Sequence, residues 1–286
     1  MLGRPQDGIT HGRNAVALLE RSGERWWLGQ ALNALAYNLL HVGDVVPALA
    51  ATERLREVGE AIRDTRLQAY AAWTAGRIYT VMGESEAGIA SSRRGVELAP
   101  DPVARALLQG WLGVAHRDAE DAEQAITLLE DAIARYRELS GTGGYRSRQV
   151  VGMFTAILGE AYLLRGAITR ADELTSEALA TAGPDGWPVA IGYAERAAGR
   201  VASARGALDE AEGWMRRSER TFLTCEAPCQ AALSRVALAE VLAARGDLEA
   251  ARTKFESACN VFEGMPAPRL VERTRRLAGA LRVTPP

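Results

Sequence analysis

Small apolar residues recur along the chain at a nearly constant interval. The column they form consists of Gly8, Ala48, Gly88, Ala125, Ala171, Ala211 and Ala251. Most neighbours in this column are 40 residues apart, and the other two intervals are 37 and 46. Seven residues further on, about two helical turns later, the residue is small again in every unit except at Leu55. A period in this range predicts an array of similar units.

A second pattern precedes each small residue from the second unit onward. Gly76 stands three residues before Tyr79, Gly159 stands three residues before Tyr162, and the other four units place Gly or Ala in the same way. A glycine follows this segment in five of the six units, and Glu120 takes its place in the third. The two patterns predict two helices per unit, joined by a tight turn. Two helices approach closely only where the side chains between them are small, so we expect these residues to form the contacts.

These segments resemble tetratricopeptide repeats. The pattern of that family, W-x2-L-G-x2-Y followed by Ala, an aromatic residue, Ala and Pro, is matched by "TAILGEAYLLRGAITRADELTSEALA" (155–180) and by "AAWTAGRIYTVMGESEAGIASSRRGVELAP" (71–100). The first tryptophan of the pattern is replaced in every unit, and the second-helix aromatic survives only as Phe255. The resemblance implies an all-α protein, a right-handed solenoid of helix pairs with a repeat of about 40 residues. Its first helices would line a concave wall.

The repeats extend along the whole sequence, so we expect a single domain over residues 1–286. Helix pairs are predicted at 24–62, 64–99, 101–139, 147–182, 187–223 and 227–263. Residues 1–22 are interpreted as the second helix of a unit whose first helix is missing, which Gly8 and Gly12 would face. We therefore expect either a fragment of a longer chain or docking of this open end on a partner or a second copy. A capping helix is predicted at 267–282, and a long loop at 139–149.

Other segments resemble a narrower group of proteins. "GERWWLGQALNALAYNLLHVGD", "LQAYAAWTAGRIY" and "VFEGMPAPRLVER" are similar to the C-terminal repeat region of large bacterial signalling proteins. In those proteins an ATPase of the AAA or STAND type carries the array, often with a nucleotide cyclase or a LuxR-type DNA-binding domain. The resemblance implies a sensory or docking role in a bacterial regulator and implies no catalytic activity in this chain.

The charge and composition of the chain limit the kinds of partner that we expect it to bind. The chain is 48% hydrophobic and 24% charged, with a formal net charge of −2. This charge gives no reason to expect nucleic acid or an anionic membrane as a partner. No apolar run approaches the roughly 18 residues that a membrane span needs, and we expect a cytoplasmic protein. Cys225, Cys229 and Cys259 are interpreted as ordinary thiols because no second pair at metal-binding spacing accompanies them.

The sequence contains no recognisable catalytic motif. The glycine-rich stretch 140–148 has no lysine after its glycines and follows a predicted helix, unlike a phosphate-binding loop. His11, His41 and His116 lie in different units. We therefore expect neither an enzyme nor a bound metal or cofactor.

The predicted concave wall carries the candidate binding residues. They are Asn33, Tyr37, Tyr70, Trp73, Arg77, Arg117, Tyr193, Arg196 and Arg200. An aromatic subsite with one cation, suited to an apolar or aromatic side chain, is suggested by Tyr37, Tyr70, Trp73 and Arg77. Arg196 and Arg200 lie one turn apart and suggest a fork for a carboxylate or phosphate. The alternatives are that Trp73 fills a gap between units and that the arginines pair with a neighbouring glutamate. We expect removal of either arginine to leave the fold intact.

These residues predict a non-catalytic scaffold or sensor that binds a protein or peptide. Aromatic residues and arginine are enriched where proteins bind one another. The alternative is a small-molecule sensor whose ligand contacts Trp73, Arg77, Arg196 and Arg200. Some members of the family grip the carboxylate at the end of chaperone tails with lysines, but the only lysine here, Lys254, lies on a predicted second helix.

Overall fold

Fourteen α-helices and no strand make up the part of the chain that this computed structural model describes, residues 4–139, 145–183 and 186–283. In chain order they are α1 (Pro5–Ser22), α2 (Arg25–Val42), α3 (Val45–Ala61), α4 (Thr65–Met82), α5 (Ser85–Glu97), α6 (Pro102–Asp118), α7 (Ala122–Leu139), α8 (Tyr145–Leu164), α9 (Ile168–Ala182), α10 (Pro188–Ala204), α11 (Leu208–Thr224), α12 (Pro228–Ala244), α13 (Leu248–Gly264) and α14 (Pro268–Ala280). They form a right-handed α-solenoid, as the repeat predicts.

Repeated residues set the ends of the first helices. Pro188, Pro228 and Pro268 open α10, α12 and α14 at 40-residue intervals, because proline lacks the N–H that the first helical position would leave unpaired. Gly43 ends α2 with a φ of 89°, the left-handed conformation that closes a helix without a Cβ clash. Glu120 takes the same conformation in the third unit, with a φ of 62°.

The small residues form the contacts between paired helices, as predicted. A Cβ added at Gly76 in α4 would lie 3.0 Å from the carbonyl oxygen of Gly88 in α5. One added at Gly159 in α8 would lie 3.3 Å from the carbonyl oxygen of Ala171 in α9. In these two pairs the first helix therefore touches the backbone of the second.

Two expectations about the chain need correction. Gly8 and Gly12 were expected to face an absent helix, but added Cβ atoms would meet Asn38 and Leu35 of α2. Their small size is thus explained by the helix that follows. The long loop expected over 139–149 is also wrong in part, because α8 already begins at Tyr145. Residues 140–144, and with them most of the glycine-rich stretch, lie outside the described residues.

The solenoid curves until its two ends meet. The even-numbered helices line its interior, where α2 contacts α12 and α4 contacts α14. One continuous apolar cluster contains Leu32 and Leu39 of α2 together with Phe262 of α13 and Val271 of α14. The inner wall is therefore closed upon itself, where the sequence had suggested an open concave groove.

We expect Gly76→Leu to destabilise the fold by at least about 2 kcal/mol through overpacking, because an added side chain would meet the Ser92 hydroxyl and the backbone of Ser92 and Gly88 in α5. Urea unfolding followed by circular dichroism measures this loss. Gly213→Ala in α11 is the control, since nothing lies within 4 Å of a Cβ at that position, and it should stabilise by about 0.5–1 kcal/mol. Equal stability of the two variants would refute the close packing of α4 on α5.

Candidate ligand-binding interior

One column of residues points into the interior from successive first helices. Each member directly follows the small residue that contacts the second helix. The column contains Tyr37, Arg77, Val114, Glu160, Arg200 and Glu240. Its N-terminal members lie among aromatic rings, whereas its C-terminal members are charged. The interior therefore has two parts of different chemistry.

The N-terminal part is filled by the chain's own side chains. The guanidinium carbon of Arg77 lies 4.1 Å from the ring centroid of Trp111 and 4.9 Å from that of Tyr37. Trp73 lies 6.4 Å from Tyr37 and 6.3 Å from Tyr70, centroid to centroid. The structure thus brings the predicted aromatic subsite together, but the remaining cavity there is only about 30 Å³. That is space for about one or two water molecules.

Asn33 lies at the edge of this aromatic group. Its side-chain oxygen accepts a hydrogen bond from the Thr74 hydroxyl over 3.3 Å. The indole nitrogen of Trp73 is buried and has no hydrogen-bond partner among the described residues. This nitrogen is therefore a donor without an acceptor, which is energetically costly for a buried N–H group.

Three arginines converge on one carboxylate in the C-terminal part. Glu160 of α8 is paired with Arg117 of α6, and its Oε1 accepts a hydrogen bond from Arg196 Nε over 3.2 Å. Arg200 Nε lies 3.4 Å from the same oxygen, without hydrogen-bond geometry. The side chain of Glu160 is only 4% exposed. Burial alone would raise the pKa of Glu160, but the three guanidinium groups outweigh it and lower the pKa to about 2.

The two arginines of the predicted fork have different environments. Arg196 is 1% exposed, and its NH1 also donates to Gln230 over 2.9 Å. The side chain of Arg200 is 39% exposed and faces a cavity. Of the two interpretations left open by the sequence, pairing with a neighbouring glutamate is the one seen here. The burial of Arg196 also removes the basis for expecting its loss to leave the fold intact.

Tyr193 is a core residue in this structure. It is 5% exposed, and its ring packs edge-to-face on Phe222 with a centroid distance of 5.5 Å. Burial raises the pKa of its hydroxyl. Tyr193 also lines the small cavity of the N-terminal part, next to Arg196, whose guanidinium carbon lies 4.9 Å from its ring centroid.

A cavity of about 470 Å³ occupies the C-terminal part of the interior. Arg117, Glu160, Arg200 and Glu240 contribute the inner charges, and Leu164 contributes part of the apolar wall. Helix α14 closes one side of the cavity through Leu270, Arg273, Thr274 and Leu277. Of these two cavities between described residues, the one of about 470 Å³ has room for a ligand and the one of about 30 Å³ does not.

Trp111 and Arg273 escaped the sequence-based prediction of this interior. Trp111 was missed because it stands two residues before the small residue Gly113, whereas Trp73 stands three residues before Gly76. Glu240 shares the column of Arg77 and Arg200, so alignment of the units contained the signal for it. Arg273 gave no such signal, because only the closure of the solenoid brings α14 to this cavity.

Polar contacts connect the two ends of the solenoid near the cavity. His41 Nε2 donates to the carbonyl oxygen of Cys225 over 2.7 Å, and burial lowers the pKa of this histidine. Arg269 Nε lies 2.9 Å from Glu84, and Arg273 NH2 lies 2.5 Å from Glu120. The two arginine contacts hold α14 across the interior, and the His41 contact joins α2 to the end of α11.

The fold is shared with proteins of known structure. A Rap protein complexed with competence and sporulation factor superposes with a TM-score of 0.63 at 13% identity, covering 97% of this chain and 88% of that one. The Rap conjugation regulator of plasmid pLS20 with the Phr* peptide gives 0.59 at 15% identity, covering 92% and 74%. A STAND protein with a tetratricopeptide repeat sensor from Pyrococcus horikoshii gives 0.56 at 15% identity, covering 96% and 43%.

These similarities establish a tetratricopeptide-repeat fold, as the sequence predicts. No family model matches the sequence, and it has no significant match among curated proteins. None of the described helices combines the length and apolar character needed to cross a bilayer. In the same residues, no three His, Cys, Asp or Glu side chains cluster as a metal site.

We expect Glu160→Gln to lower the free energy of unfolding by about 3 kcal/mol at pH 7, because it removes the counter-charge of buried Arg196. The pKa of Glu160 is depressed, so its contribution is complete above the unfolded value near 4.5 and is lost as the pH falls towards 2. The difference between wild type and variant should therefore shrink to about 1 kcal/mol at pH 3.

Urea unfolding at pH 7 and pH 3 measures this change. Glu249→Gln is the matched control, since that side chain is 84% exposed and its loss should cost less than about 0.5 kcal/mol. A Glu160→Gln difference that stays constant with pH would show that the buried carboxylate is not the charged partner.

Proposed function

We propose that the chain is a non-catalytic binding module that encloses a short peptide, or the end of a protein chain, within its solenoid. The observation that carries the proposal is the cavity of about 470 Å³ between the first helices and α14. Ligand pockets commonly measure about 300–1,000 Å³. A folded partner does not fit inside such a volume, whereas a few residues of an extended chain do.

The lining of the cavity supports this proposal. Arg200 and Arg273 present cationic groups, and Leu164, a large apolar side chain 47% exposed, lies beside them. Apolar walls with a few placed polar groups are the usual composition of a ligand site. The two Rap structures, which were determined with competence and sporulation factor and with the Phr* peptide, add support by analogy of fold.

A small-molecule sensor is the second candidate. The enclosure of the cavity favours it, because a ligand that enters completely must be short. In this candidate the polar group of the small molecule contacts Arg200. Trp73 and Arg77 lie in the filled aromatic part, so they contact the ligand only if that part rearranges. In either case we propose that the module belongs to a cytoplasmic bacterial signalling protein, on the basis of its resemblance to regulator repeat regions.

Self-association through α1 is a separate proposal about partners. Leu18, on the outer side of α1, is 62% exposed. If copies associate there, the mass measured by light scattering should rise with concentration, and Leu18→Glu should return it to the monomer value. A monomer at all concentrations would rule this proposal out.

We expect Ala204→Trp to abolish ligand binding, because Ala204 is an exposed position on the cavity wall and an indole there fills much of the space. Random peptides displayed on phage would be selected on the wild-type chain and then titrated by fluorescence anisotropy. Affinity should fall at least about ten-fold, equivalent to about 1.4 kcal/mol.

Ala17→Trp is the matched control, since it makes the same change at an exposed position on α1. It should bind like wild type. Unchanged affinity in Ala204→Trp would place the ligand outside the cavity and refute the proposal.

A further inference from the structure

The acidic and basic side chains around the cavity do not all form one-to-one ion pairs. Glu160 is shared by three arginines, whereas Glu120 pairs with Arg273. Glu240 of α12 also lines the cavity and makes no ion pair within the described part of the chain. A carboxylate shared among three guanidinium groups cannot saturate their donors, because each guanidinium carries five N–H groups.

Arg200 has the largest unused donor capacity of the three. Its Nε is buried and has no hydrogen-bond partner among the described residues, although the side chain as a whole is 39% exposed and faces the cavity. Arg273 projects from α14 into the same cavity, and its side chain is 57% exposed. Cationic donors from α10 and α14 thus face one space.

Glu240 faces these two arginines from α12. Burial raises its pKa, and the charges of Arg200 and Arg273 oppose that shift. The cavity is also lined by Arg117, Asp118, Glu120, Glu160 and Arg196. When Glu240 is protonated, four arginines face three ionised carboxylates, which leaves one net positive charge, and the neutral carboxyl becomes a hydrogen-bond donor.

Apolar side chains cover the rest of the wall. Leu163 and Leu164 come from α8, Leu233 and Val236 from α12, and Leu277 from α14. A ligand that matches this lining has a single negative group at one end and a hydrocarbon body. A dianion would exceed the one net positive charge that protonation of Glu240 provides.

We propose that this cavity binds a monocarboxylate with an apolar body, whose carboxylate lies between Arg200, Arg273 and the carboxyl group of Glu240. The inference rests on the proposed function and specifies the chemistry of the ligand. Either the C-terminal carboxylate of a short apolar peptide or a free alkyl carboxylate supplies this chemistry. Charge-assisted bonds from a guanidinium are the strongest contacts available to such a group.

Displacement of the neutral dye N-phenyl-1-naphthylamine tests the proposal, because the dye reports the apolar cavity without itself requiring a cation. Octanoate should displace it at least about ten-fold more effectively than octanol or octylamine. Acetyl-Ala-Leu-Leu with a free carboxylate, compared with its C-terminal amide, shows whether a peptide end is accepted. Equal displacement by octanoate and octanol would overturn the proposal.

Arg200→Gln should weaken octanoate at least about ten-fold while changing dye affinity less than about two-fold. The matched control is Arg216→Gln, because Arg216 forms an ion pair with Glu212 within α11 and does not line the cavity. Loss of the dye in Arg200→Gln would indicate a collapsed cavity, and Arg273→Gln then provides the same test from α14. Unchanged octanoate affinity in both variants would overturn the proposal.

Glu240→Gln separates the role of the carboxyl group. Octanoate affinity of the wild type should fall as the pH rises above the range in which octanoate itself ionises, because burial raises the pKa of Glu240 and its proton is lost at a higher pH than that of an ordinary carboxyl group. Glu240→Gln should bind octanoate with no such decline, and a flat wild-type profile would overturn the role given to Glu240. If the dye and the selected peptides fail to bind wild type at all, the proposed function itself fails.

Discussion

The close approach of paired helices is the constraint on which the rest of this structure depends. Gly76 and Gly159 touch the backbone of the next helix, so bulky side chains are excluded from that seam and are placed on the other faces. In the first helices the next residue points inward, which makes Arg77 and Glu160 lining residues of the interior. The packing of the helix pairs therefore determines where these charged and aromatic side chains lie, because each of them directly follows a small residue at the contact.

Closure of the solenoid converts this wall into an enclosed interior. Apolar contacts between α2, α13 and α14, with the His41 hydrogen bond to Cys225, join parts of the chain that are 184 or more residues apart in sequence. A larger superhelical pitch would leave a groove for an extended partner. Here the N-terminal part of the interior is filled by its own aromatic residues, and space remains only beside α14. This geometry favours a short ligand over a long peptide threaded through the array.

The buried cluster around Glu160 gives the remaining space its polarity. Three arginines on one carboxylate are stable because their attraction outweighs the cost of burial, which is also why the pKa of Glu160 is low. The same arrangement leaves donors of Arg200 unused and places them opposite Glu240. Ion pairs that hold α6, α8 and α10 together thus also create a cationic surface, and the fold and the candidate site share these residues.

The sequence by itself determined the repeat, the helix pairs and the small residues between them, because these follow from a local pattern that is present in each unit. It also predicted the position of Tyr37, Trp73, Arg77 and Arg200 on the inner wall. It did not determine that Arg196 is buried, that Trp111 stacks on Arg77, or that Arg273 reaches the cavity. The first two features depend on side-chain packing between neighbouring units. The third depends on the pitch summed over all units, to which each interface adds a small rotation. Only the tertiary structure decided where the two ends meet.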